Sequence, residues 1–178
     1  MAKKMSNQGD NVDLQHDSPE FQKAIRALKK IDFELAYLAV LTLEGLKPLS
    51  RWEKKLSKKN LELLQRIGLL TQQVRRKVKS GKDVIETIFS RAPVYIQLYE
   101  QAFGNTPIDK SVRTQLFEGF LFGYPSCCIN QYIRKPYVPN NLSKQQQKIL
   151  FHWTCRDCKI TPSLLPAYKS IYDLLDSY

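Results

Sequence analysis

Apolar residues recur at helical spacing through Phe21, Ile25, Leu28, Ile31, Leu35, Leu38 and Leu41. The pattern predicts one long helix or two consecutive ones, opened by Ser18-Pro19 as cap and first helical residue and closed near Gly45, before Pro48. The stretch ELAYLAVLTLEGL is apolar on most sides and should be buried. Ser57 can cap a short helix with Leu61, Leu64 and Ile67 on one side and Gly68 as its stop. VRRKV and DVIETIFS flank Ser80-Gly81, which predicts a β-hairpin. Valines four apart in the first arm also suit a helix.

Beyond Ser90–Pro93, a soft boundary between two lobes, the periodicity is helical again. Pro93 opens APVYIQLYEQAF, and Gly104-Asn105 ends it. Thr106-Pro107-Ile108-Asp109 is a capping signal for a helix running toward Phe120. Gly123 can end that helix, with Pro125 in the first turn of the next, INQYIR. Pro136, Pro139 and Asn140-Asn141 form a loop, and Ser143-x-x-Gln146 is a capping-box pattern for a helix through Phe151. Thr161-Pro162 starts a last helix carrying Leu164, Leu165, Tyr168, Ile171 and Leu174. The expected fold is mainly α with a small β-hairpin, an α+β chain. Residues 1–17 form a polar, disordered tail, residues 18–90 a helical lobe with a basic helix and hairpin, and residues 91–178 a helical, cysteine-bearing lobe.

Charge sharpens this division. The chain of 178 residues has a formal charge of +11. Residues 47–82 hold twelve basic and two acidic side chains, a net +10, whereas 1–46 sum to −1 and 83–178 to +2. Positive charge gathered in one block attracts phosphate backbones, against the plain alternative of a solvated face or a protein contact. A helix followed by a basic hairpin resembles the recognition helix and wing of winged-helix domains. Lys58, Lys59 and Arg66 would then lie on the helix, and Arg75, Arg76, Lys77, Lys79 and Lys82 would meet DNA or RNA phosphates from the wing.

All four cysteines fall between Leu121 and Thr161: Cys127 and Cys128 side by side, then Cys155-x-x-Cys158. No apolar run is long enough to cross a bilayer and no signal peptide opens the chain, so a cytoplasmic protein with reduced thiols is expected. Two thiol pairs with none left over suit a four-cysteine zinc site or a [4Fe–4S] iron–sulfur cluster. Zn2+ is favoured as a structural clasp; the cluster makes adjacency of Cys127 and Cys128 easier, because each thiolate can take a different iron. The N-terminus of a helix should lower both thiol pKa values. His152 can replace one cysteine as ligand or support one by a hydrogen bond. The alternatives are buried, inert thiols and a redox protein or thiol-dependent enzyme in which Cys127 or Cys128 reacts with His152 as base. Glycine-rich phosphate loops, H-E-x-x-H and G-x-S-x-G are absent from the sequence.

FGYPSCCI with the later HWTCRDCKITP resembles the archaeal and bacterial domain-of-unknown-function family numbered 483. The likeness extends back through GLL, SGK and ETIFS, over residues 61–170. It implies that Gly123, Tyr124, Pro125, Cys127, Cys128, His152, Cys155 and Cys158 form a signature site. The family brings no established activity.

Overall fold

A computed structural model describes residues 18–78 and 80–178; the predicted tail 1–17 and Lys79 lie outside the described residues. The first apolar pattern forms two helices, α1 (Pro19–Ile31) and α2 (Phe33–Leu43). Ser18 Oγ accepts from Phe21 N, capping α1. Asp32 ends α1 in an extended conformation and caps α2 through its own side chain, so one residue makes the break. Every residue from Leu35 to Leu43 is buried. A short strand, β1 (Ser50–Trp52), follows and then α3 (Lys58–Arg66), capped by Ser57.

The hairpin forms as expected: β2 (Leu70–Lys77) pairs antiparallel with β3 (Asp83–Ser90), from Leu70 opposite Ser90 to Lys77 opposite Asp83. Gly81 turns it at φ +79°, a conformation that costs glycine nothing. β1 adds to the far side of β3, giving the order β1-β3-β2. What precedes α3 is thus a strand and a short connection, not the packed helix of a helix-turn-helix.

α4 (Pro93–Phe103) and α5 (Val112–Leu121) come next. The cap of α5 is Ser111, not the predicted Thr106. Residues 105–108 are used elsewhere, since Asn105 N donates to Arg75 O and Ile108 N to Lys77 O, fastening this loop to the end of β2. α6 (Ser126–Arg134), α7 (Lys144–Lys148) and α8 (Ile160–Ser177) complete the chain. Ser143 and Gln146 make the expected capping box, but α7 stops at Lys148 and its continuation, Ile149 to Phe151, packs against the core.

Two apolar clusters result. The larger joins α1, α2 and α3 with Leu165, Tyr168, Ile171 and Leu175 of α8, so the C-terminal helix packs back on the N-terminal ones. The smaller joins the inner sheet face to α4 and α5 through Val74, Ile88, Tyr99 and Leu121. Among the described residues no helix is long and apolar enough to cross a membrane.

Candidate metal centre

The cysteine pairs are presented by the starts of two helices. Gly123, at φ +72°, turns the chain out of α5, and a Cβ there would stand 2.7 Å from Pro48 Cδ. Pro125 then caps α6, placing Cys127 and Cys128 in its first turn. Close approach of α5 to α6 requires Gly119, whose added Cβ would lie 2.5 Å from Ile129 Cδ1. On the other side Cys158 N donates to Cys155 O at 3.3 Å, a tight turn leading into α8.

These turns bring the four sulfurs together. Their Sγ atoms all lie within 4.8 Å of one another, a grouping that can hold a metal ion. Cys127 Sγ is 4.0 Å from Cys128 Sγ and 3.7 Å from Cys158 Sγ, and Cys128 Sγ is 3.5 Å from Cys158 Sγ. Backbone donors reach them as well, with Cys155 N 3.4 Å from Cys128 Sγ and Thr161 N 3.3 Å from Cys158 Sγ. The N-termini of α6 and α8 both face the cluster, and their dipoles favour negative charge there.

Burial opposes that charge unevenly. Cys128 is buried, which pushes its thiol pKa well above the ordinary value, opposite to the expectation from its place at a helix start. Burial likewise raises Cys155, to about 11. Cys158 falls to about 7, because donation from the Thr161 hydroxyl and backbone outweighs its own burial. Metal binding therefore has to displace protons from the first two thiols.

His152 stands outside the four-sulfur group. Its Nε2 lies 3.0 Å from Thr161 Oγ1, which in turn lies 3.2 Å from Cys158 Sγ. It touches the cluster through Thr161, which in the sequence reads as the start of the last helix and not as part of the site. Burial, then the nearby charge of Lys47, lowers the His152 pKa to about 4, so the ring is neutral at pH 7. Its polar contact is Thr161 and not a cysteine, which leaves it poorly placed to activate Cys127 or Cys128.

The basic residues divide. Lys58, Lys59, Arg66, Arg75, Lys77 and Lys82 are exposed on α3 and the hairpin. Arg76 is a correction: it is 1% exposed and turns inward beside Val74, because alternate strand residues face opposite sides. Its Nη1 is 3.2 Å from Glu118 Oε1 and 3.9 Å from Glu86 Oε2. Arg51 joins Glu118 at 2.6 Å, and the Tyr99 hydroxyl donates to Glu86 at 2.6 Å. Lys47 is also interior. The basic block is thus partly a buried ion network and partly a surface. No protein-family model, curated protein or solved structure matches the chain.

Proposed function

We propose that the protein binds one zinc ion through Cys127, Cys128, Cys155 and Cys158, clasping the start of α6 to the start of α8, and that its exposed basic face engages nucleic acid. The observation that carries the first part is the separation of the four sulfurs, all within 4.8 Å. Zinc–sulfur bonds of about 2.3 Å at tetrahedral angles put sulfurs about 3.8 Å apart. Four thiolates on the four irons of a cubane must stand wider, which favours zinc over the cluster. Four protein ligands close the coordination sphere, as in structural rather than catalytic sites.

The second part rests on Lys58, Lys59 and Arg66 being exposed on α3 and Arg75, Lys77 and Lys82 being exposed on the hairpin that follows it, with Glu62 the one acid between Lys58 and Lys82. Contacts of this kind read phosphates, not bases. The hairpin would serve as a wing beside α3. Kinship with the domain-of-unknown-function family 483 is proposed on the GYP turn and the two cysteine pairs, which supply the same site.

Both parts are tested on one preparation. Metal analysis after anaerobic purification should give one zinc per chain and no absorption near 400 nm; a brown, iron-containing protein would select the cluster. Binding of a fluorescent duplex and an RNA hairpin should weaken with salt with a log–log slope of about −4 to −6. Failure of both to bind at low salt would remove the nucleic-acid role and leave the metal site standing.

A further inference from the structure

Between Glu118 and Asp157 the chain has no acidic residue. Residues 119–156 carry Arg134, Lys135, Lys144, Lys148 and Arg156, a net +5 concealed by the acids on either side. All five are exposed, and among the described residues none of them forms an ion pair. The same segment supplies most of the wall of a cleft of about 1080 Å³, completed by Arg51 and by residues between 109 and 118. Charged groups lining this cleft are either paired, as Arg51 with Glu118 at 2.6 Å, or exposed, as Asp109, Lys110, Lys144 and Lys148. Its interior is therefore uncharged while its surroundings are positive.

Three rings in the wall form one group. The Tyr132 hydroxyl donates to Tyr137 Oη at 3.0 Å, and the rings of Tyr132 and Trp153 stand edge-on to Tyr137 with centroids 5.3 and 5.4 Å away. Trp153 is itself fixed, donating from Nε1 to Val138 O at 2.7 Å. Held in this way, Tyr137 remains 64% exposed and belongs to neither apolar cluster. Its backbone takes φ +58°, a costly conformation for a bulky residue and one that gathers at functional sites. Burial of the ring does not explain that strain, because most of the residue stays in water.

We propose that Tyr137, supported by Tyr132 and Trp153, stacks an unpaired base of a single-stranded nucleic acid whose phosphates meet the exposed Arg134, Lys135, Lys144 and Lys148. A surface with cations and no acids calls for a polyanion, and an uncharged aromatic wall calls for a flat neutral group. A nucleic-acid strand joins the two, and aromatic rings beside a positive surface are the usual means of holding one. A duplex does not serve, because its bases are already stacked on one another. This contact is separate from the basic face of α3 and the hairpin, and it adds base stacking to the phosphate contacts proposed there.

The probe is a fluorescein-labelled oligothymidylate of about twelve nucleotides, read by anisotropy with the full zinc-loaded chain. It is compared with an abasic strand of equal charge and with a duplex of equal length. The abasic strand should bind about tenfold more weakly. Tyr137→Ala should weaken oligothymidylate about tenfold while leaving its salt slope and duplex binding unchanged. Tyr137→Phe keeps the ring and should hold affinity within about twofold of the parent. The double variant Lys144→Gln, Lys148→Gln should instead reduce the salt slope by about one. Equal affinity for the abasic strand, indifference to Tyr137→Ala, or absence of single-strand binding would each overturn the proposal. Loss of duplex binding with the Tyr137→Ala effect intact would remove the α3–hairpin face and leave this contact standing.

Discussion

Arg76 and Glu118 meet at 3.2 Å beneath the sheet, whereas Arg75, one position earlier, faces solvent and pairs with exposed Asp83 at 3.5 Å. Two adjacent arginines of one basic motif therefore have unrelated jobs. Arg76→Ala leaves Glu118 to Arg51 and Glu86 to the Tyr99 hydroxyl alone, so the loss should fall at the lower end of the about 3–5 kcal/mol that removing one partner of a buried pair costs. Arg75→Ala should change stability by less than about 0.5 kcal/mol and reduce the salt slope of nucleic-acid binding by about one. Denaturant unfolding and salt titration of both variants check this contrast.

Metal uptake should release protons. With Cys128 raised by burial and Cys155 at about 11, both are protonated in metal-free protein at pH 7, so each zinc ion expels at least two protons. Affinity should then rise with pH by at least two log units per unit near neutrality. A weakly buffered titration with a pH indicator counts the protons, and release of fewer than two would contradict the thiol assignment.

Thr161→Val removes the hydroxyl that lies 3.2 Å from Cys158 Sγ and 3.0 Å from His152 Nε2. Loss of such an outer hydrogen bond should weaken zinc about 10–100-fold. Competition with a chromophoric chelator measures it. Thr161→Ser, which keeps the hydroxyl, should restore most of the affinity.

Lys47 predicts a pH dependence with a definite sign. Its pKa is about 7 folded, against 10.5 for the ordinary group, so between these values the unfolded chain binds more protons and stability rises with pH. Below about pH 7 the full burial penalty applies, on the order of a few kcal/mol. Lys47→Met should lack this contribution, so its stability advantage over the parent should shrink from pH 7 to pH 10. Thermal unfolding of both proteins across that range decides it.

What the sequence discloses here is local chemistry. Ser18, Ser57 and Ser143 cap their helices because each side chain needs only a backbone N–H three residues on. Gly81 marks the hairpin turn for an equally local reason. The four cysteines advertise a shared site through type and spacing. The misreadings are distant. Arg76 goes inward because Glu118, 42 residues later, waits there. Thr106 fails as a cap because its neighbours Asn105 and Ile108 are claimed by β2. Lys47 finds its carbonyl 75 residues away, and no periodicity announces such a partner. β1, three residues long, is a strand only because β3 lies beside it.

Zinc K-edge X-ray absorption on the anaerobically purified protein reads the ligand set itself. Four sulfur scatterers at about 2.3 Å, with no nitrogen in the first coordination sphere, are the expected result. A sphere of three sulfurs and one imidazole nitrogen, or protein without stoichiometric zinc, would contradict the four-thiolate clasp.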